Sequence, residues 1–423
     1  MPNSQRSRIK DLAKANKRNF DFSNVAYINY VDTSSVTENK FSIVQRLDCT
    51  KDVIPSRAKK AVEKNTIIYS AVRPNLKHYG IIKEPLKHMV VSTGFITLDL
   101  FKEIDPNYFY YNITQQKYTD FLHTIAVNNA SAYPAINPSD LENLEINVFD
   151  DVNTQKSIGN LLYAIDNKIE LNNKINIELE MLARALYNYW FVQFDFPDGK
   201  GRPYKSSGGK MVYNEVLKRE IPEGWKVDSL GNLGVEVIRG VTYNKNDIKK
   251  SSDENIIGIL RATNINGNEI DLNGLVYVDK SLVSENQKLN PFDILITMSS
   301  GSKEHVGKNG LFPFATEVGF GAFCSKIRID KEYNLFYYLY FQSEQFKNYV
   351  KNSCLGTNIN NLNNSLILDI QLPSSNSAIL ANFHALVCPL FTSIISARQE
   401  SARLTQLRDF LLPMLMNGQV VVI

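Results

Sequence analysis

The stretch Val152 to Trp190 constrains the chain more than any other. Apolar residues stand at Ile158, Leu162, Ile165 and Ile169, then at Ile175, Leu179, Leu182, Leu186 and Tyr189. Steps of three and four mark one face of a helix, and no proline interrupts them. At 1.5 Å per residue, about 40 residues make a rod about 60 Å long. One compact domain cannot bury a stripe of that length, so the rod requires a second rod. Leu380 to Leu412 supplies it. Leu380, Phe383, Val387, Leu390, Ile394, Ala397, Ser401, Leu404, then Leu407 or Arg408, and Leu411 follow nearly heptad spacing, the pattern of a coiled-coil seam. Pro389 is expected to kink or break this second helix, and Pro413 to end it. Asn172 falls on the first stripe, where it either fixes the register of the seam or lies at its edge.

The remainder of the chain is arranged around these rods. A length of 423 residues suits two or three domains. Residues 1–151 read as a mixed α/β domain, with strands over Ile67–Val72, Met89–Thr93, Phe95–Leu100 and Leu144–Phe149. A helix is predicted over Tyr108–Ala126 with Asn107 as its N-cap, and a loop over Asn128–Pro138. Residues 152–194 are the first rod. Residues 195–224, rich in Gly, Pro, Ser and Lys, read as a surface linker. Residues 225–376 are a second mixed domain, and 377–416 the second rod.

The second half echoes the first. Asp293–Met298 parallels Asn65–Ser70, Leu335–Val350 parallels Tyr108–Ala126, Thr357–Asn361 parallels Pro134–Pro138, and Leu366–Leu372 parallels Leu144–Val148. Four matches in one order at one offset indicate an internal repeat. The expected fold is α+β: two similar mixed α/β globular domains separated by two long antiparallel helices that form a coiled-coil spacer, with pseudo-twofold symmetry.

Net charge is only +3, but it is unevenly placed. Residues 51–87 carry nine basic and three acidic residues, and residues 140–185 carry four basic and nine acidic. A basic N-terminal domain followed by an acidic rod suits a polyanion at the domain, although solvated faces give the same pattern. Cys49, Cys324, Cys354 and Cys388 are far apart and outside any zinc spacing, which points to reduced thiols in the cytoplasm. No secretory signal is visible, and no uninterrupted apolar run reaches membrane-spanning length, so no membrane contact is expected.

No catalytic, metal or cofactor site is expected either. Asn137-Pro138 is followed by Ser139, which breaks the Asn-Pro-Pro-aromatic pattern of an adenine methyltransferase. Gly301 to Asn309 has a spacing one residue too long for a phosphate loop, and Asn309 stands where a magnesium-binding hydroxyl belongs. His78, His88, His123, His305 and His384 form no triad or ligand pattern.

The segments Asp166–Asn176, Leu186–Pro197, Ile221-Pro-Glu-Gly-Trp225, Gly301–Gly307 and Leu411–Val420, together with the half-chain repeat, resemble the specificity subunit of type I restriction–modification enzymes over essentially the whole length. The first domain departs by lacking the Ile-Pro-Glu-Gly-Trp opening. The resemblance implies two target-recognition domains, each reading one half of an interrupted site in double-stranded DNA. The rods would dock two methyltransferase (M) subunits, and the assembly would recruit motor-nuclease (R) subunits. Catalysis would then be borrowed. The alternative is a protein-interaction scaffold or an orphan DNA-binding module.

Base reading needs polar side chains on loops, and phosphate contact needs basic and small polar groups around them. In the first domain these criteria select Arg73, Asn75, Lys77, His78, Tyr79, Ser92, Thr93, Asn129, Ser131 and Tyr133. In the second they select Arg239, Thr242, Tyr243, Ser299, Ser300, Ser302, Lys303, His305 and Lys308.

Overall fold

The computed structural model describes residues 3–129, 134–353, 361–375 and 377–422. They form two compact units, Met1–Glu170 with Ala402–Ile423, and Leu171–Ser401.

In the first unit Ser4–Arg8 pairs antiparallel with Glu145–Phe149. A second sheet has the spatial order Gln45–Asp48, Tyr27–Val31, Met89–Ser92, Ala58–Ala61, and a third the order Ala13–Ala15, Phe95–Leu100, Ile67–Ser70, Tyr79–Ile81. Ile67–Ser70 is buried at all four positions, as a near-continuous apolar run in an inner strand should be. Two helices, Pro106–Ile113 and Gln116–Asn128, pack against these strands.

The second unit repeats this plan. Lys226–Ser229 pairs with Gln371–Ser374. Glu236–Arg239, Cys324–Arg328, Ile294–Thr297 and Asn309–Leu311 reproduce the third sheet in the same order. Val276–Asp279, Ile256–Leu260 and Val318–Phe320 reproduce three strands of the second sheet, including its one parallel pairing. Where Ala58–Ala61 stands in the first unit, the second has an isolated antiparallel bridge between Lys288 and Gly319. The helices Asn334–Gln342 and Glu344–Ser353 stand for the first unit's pair. Asn107-Tyr-Phe-Tyr-Tyr111 and Asn334-Leu-Phe-Tyr-Tyr338 occupy the same helical turn and are buried throughout in both.

The long helices run Val152–Tyr187, continued by a π-helical turn Asn188–Val192, and Ser377–Met416. Within the first unit their stretches run antiparallel. Ile158 and Leu162 share a core with Leu415 and Met416, and Arg408 Nη1 lies 2.7 Å from Asp166 Oδ1. A Cβ on Gly159 would stand 2.6 Å from both Asp105 Oδ1 and Tyr108 N, so this helix is pressed onto the start of Pro106–Ile113. Within the second unit the pairing is again antiparallel. Asn172 Nδ2 donates to Glu400 Oε2 at 2.8 Å, Glu180 Oε1 accepts from Arg398 at 2.7 Å, and the rings of Tyr187 and Trp190 pack on Phe383.

Several expectations need correction. Ile175 and Leu182 are exposed, at 42% and 48%. The buried face passes instead through Asn172, Asn176 and Ala183. Two successive steps of three, 169 to 172 to 175, turn a stripe about 120° away from its seam, whereas alternating three and four holds the phase. Asn172 is buried and hydrogen-bonded on the seam, which settles its place there.

Pro389 does not break its helix. The proline costs one backbone hydrogen bond, but Phe383, Val387, Phe391 and Ile394 anchor both flanking turns in the core. Pro413 does not end it either, since the helix continues to Met416. Tyr108–Ala126 is two helices, because Gln115 is extended and its amide donates back to Asn112 O at 2.9 Å. The N-cap is Asp105, which accepts from Tyr108 N, and Pro106 holds the first turn. Leu366–Leu372 is the end of a short helix, Asn364–Leu368, followed by the strand Gln371–Ser374.

The stretch 195–224 is more than a linker. Met211–Asn214 and Arg219–Pro222 form a hairpin, and Phe196 stacks between Tyr204 and Trp225. Cys49, Cys324 and Cys388 are free thiols, and burial pushes the Cys324 thiol up to about 12; Cys354 lies outside the described residues. Ser377–Met416 is, by length and composition, apolar enough to cross a membrane. A count of uninterrupted apolar residues overlooks it, because Asn, His, Pro, Thr and Ser punctuate residues 377–397, which carry no charge. Phe383, Val387, Phe391 and Ile394 are buried in the core of the second unit, while Leu386 is exposed.

Candidate nucleic-acid interface

In the first domain four loops are tied into one edge. Thr93 N donates to Arg57 O and Ala71 N to Gly94 O, both at 2.8 Å, and Arg73 N donates to Pro134 O at 2.9 Å. His78 Nδ1 donates to Val36 O at 2.6 Å, which joins the 71–78 loop to the turn after Tyr27–Val31. That turn is capped by Asp32, which accepts from Ser34 N and from Tyr30 Oη. Burial raises the Asp32 carboxyl, but the hydrogen bonds from Tyr30, Ser34 and Thr33 together hold it below the usual value.

Arg73 and Lys77 flank a short 3-10 turn, Pro74–Leu76, and both adopt left-handed backbone, φ +48° and +55°. Such conformations are costly for these residue types and recur at functional loops. Arg73, Asn75, Thr93 and Asn129 are exposed, and Lys77 and His78 half-buried. Lys77 pairs with Glu38 at 2.8 Å.

Two selected residues are withdrawn from this edge. Tyr79 is buried on its strand and stacked on Tyr69, and Ser92 is fully buried with its Oγ accepting from Gly94 N. Both strands are buried at every position, so neither of their faces reaches solvent. Ser131 and Tyr133 lie outside the described residues. Arg57 was missed: it is exposed and holds the Thr93 turn through its carbonyl. Its only signal was membership of the basic 51–87 stretch, because neither neighbouring strand had been recognised.

The second domain builds the equivalent edge. Val241 and Gly321 form a bridge, and Ala322 N donates to Val241 O at 2.9 Å. Phe323 O accepts from Met298 N at 2.8 Å and from Ser299 N at 3.2 Å, and Ser299 bridges to Asn361. Arg239, Thr242, Ser302, Lys303 and His305 are exposed, and Tyr243, Ser299, Ser300 and Lys308 half-buried. Lys308 Nζ donates to His305 Nδ1 at 2.9 Å. Burial raises the Tyr243 phenol. Sequence reading missed exposed Arg261, next to the bridge, and exposed Phe323. Among the described residues no group of His, Cys, Asp and Glu is arranged to hold a metal ion.

Two edges of basic and small polar side chains on equivalent loops can contact phosphates and base edges. Comparison with known proteins gives this arrangement a family. The type I restriction modification DNA specificity domain matches twice, at residues 1–181 and 222–377. The chain belongs to the type I restriction–modification DNA specificity family. The specificity subunit of the type I restriction enzyme HindI from Haemophilus influenzae is 25% identical, with 97% of this chain and 98% of that protein covered. The EcoKI specificity subunit of Escherichia coli is 38% identical over 144 residues, which are 34% of this chain and 31% of that one. In fold, the crystal structure of the type I restriction-modification S subunit from M. genitalium matches with TM-score 0.56 at 17% identity, covering 98% of this chain and 96% of that one. The two matched segments each contain one edge of the specificity repeat described above.

Proposed function

We propose that this family member is the DNA-binding specificity subunit of a type I restriction–modification complex, and that each mixed domain reads one half of an interrupted target in duplex DNA. The observation that carries this reading is the repeat of sheet order with its one parallel pairing, which sets the loops at 71–78 and 298–308 after matching strands in both domains while their side chains differ. The long helices act as a coiled-coil spacer that keeps the half-sites apart, with centres about one helical turn, roughly 34–36 Å, from each other. Their outward faces dock two methyltransferase subunits, and motor-nuclease subunits join through the assembly. Chemistry belongs to those partners, and the chain works in the cytoplasm on the host chromosome.

The test is a modified-base map of the host genome with and without this gene. Loss of adenine methylation at one interrupted motif in the deletion is expected, and exchange of one mixed domain for that of a relative should alter one half of the motif. An unchanged map together with no salt-dependent duplex binding by the purified chain sinks the reading in favour of a protein scaffold.

A further inference from the structure

The turn Gly321-Ala322-Phe323 is held at both sides by backbone hydrogen bonds: Gly321 N to Leu260 O, Ala322 N to Val241 O, and Met298 N and Ser299 N to Phe323 O. Its backbone therefore has little freedom. Yet Phe323 is 67% exposed and belongs to none of the buried apolar clusters. A rigid turn thus presents a bare aromatic ring to solvent, at an edge where exposed Arg239, Thr242 and Arg261 also stand.

Packing does not explain the ring. The first domain closes the equivalent turn with Gly94, whose carbonyl accepts from Ala71 N as the Phe323 carbonyl accepts from Met298 N. The scaffold therefore functions with no side chain at that position. Exposing a phenylalanine forgoes the stabilisation that its burial yields. An aromatic ring on an edge that also carries basic and hydroxyl side chains has an apolar partner on duplex DNA in the C5-methyl group of thymine, which lines the major groove.

We infer that Phe323 is a specificity-determining residue of the second domain and that its ring contacts the methyl group of one thymine in the half-site which that domain reads. This inference rests on the DNA-reading function proposed above.

The experiment selects bound duplexes from a random pool with the full chain, wild type and Phe323→Ala, after both pass the same thermal-unfolding check. The wild type is expected to return a two-part motif, and the variant the same motif with the thymine preference lost at one position of one half. On the best wild-type duplex, replacing that thymine by deoxyuridine should weaken wild-type binding about fourfold, the worth of one methyl group, and leave the variant unaffected. The salt slope should match in both, since no phosphate contact is removed. An unchanged motif in the variant overturns the inference, and so does equal sensitivity of both proteins to deoxyuridine. A wild type that returns no two-part motif instead overturns the DNA-reading function itself.

Discussion

At the turn after Met89–Ser92 the first domain carries Thr93 and Gly94; at the turn after Val318–Phe320 the second carries Ala322 and Phe323. On one side the bonding is alike, Ala71 N to Gly94 O and Met298 N to Phe323 O, whereas on the other Thr93 N donates to Arg57 O and Ala322 N to Val241 O. At Gly94 an added Cβ would stand 2.8 Å from Thr33 Cγ2, whereas Phe323 opens to solvent. The same contrast recurs elsewhere. The aromatic helical turns at 107–111 and 334–338 are nearly identical, while the loops at 71–78 and 298–308 share neither length nor side chains. The repeat is therefore a repeat of framework, held by buried aromatics and main-chain bonds. The loop edges differ in length and side chains, although the second also buries Met298 and Val306 in the core.

Framework equivalence should produce the largest effects. Phe109→Ala and Phe336→Ala each empty a buried site, and each is expected to cost about 3–5 kcal/mol. Urea unfolding with a probe in each unit should show each loss mainly in its own unit; if either substitution is neutral, the two helices are not equivalent.

The seam ion pairs come next. Glu180 and Arg398 have side chains only 14% and 11% exposed, whereas Asp166 and Arg408 are 25% and 27% exposed. Glu180→Ala leaves a buried guanidinium short of its partner and should cost about 3–5 kcal/mol. Asp166→Ala should cost about 1 kcal/mol, because solvent and Asp409 continue to stabilise Arg408. Equal shifts of the unfolding midpoint would remove the distinction.

The loop edges should behave independently. Arg73→Ala and Arg239→Ala are each expected to weaken duplex binding by about 1–3 kcal/mol, with each relaxing a different half of the motif in a competition assay. Loss at both halves from a single substitution breaks the idea of two separate readers.

The smallest effect concerns two asparagines one helical turn apart. Asn172 donates to Glu400, but neither polar atom of the Asn176 side chain has a hydrogen bond among the described residues, although both are buried. Asn176→Leu should therefore raise stability by about 1 kcal/mol, and Asn172→Leu should lower it, since the hydrogen bond from the buried Asn172 amide to Glu400 is lost. A thermal melt distinguishes the signs.

Much of this architecture was legible before any coordinates. Steps of three and four locate Ile158, Leu162, Ile165 and Ile169 without reference to partners, and the half-chain offset reveals two copies of one plan. The strands before Ile67 were missed because Tyr27–Val31 and Gln45–Asp48 are short and their neighbours polar, so periodicity had little to act on. Of the loop residues, Arg73, Asn75, Thr93, Arg239 and Thr242 reach solvent as expected. Tyr79 and Ser92 do not, because their strands are covered on both faces by distant segments, which polarity alone does not specify.

Local chemistry by itself determined the helical rods, the repeat and the pool of polar loops, since helix phase and residue type are properties of neighbouring positions. Only the tertiary structure decided that Asn176 and Ala183 hold the seam in place of Ile175 and Leu182, that Pro389 sits inside an unbroken helix, and that Arg57, Arg261 and Phe323 stand at the same edges as the expected loops. Each of these depends on which distant segments supply the compensating contact, and that information lies in packing rather than in any local run of residues.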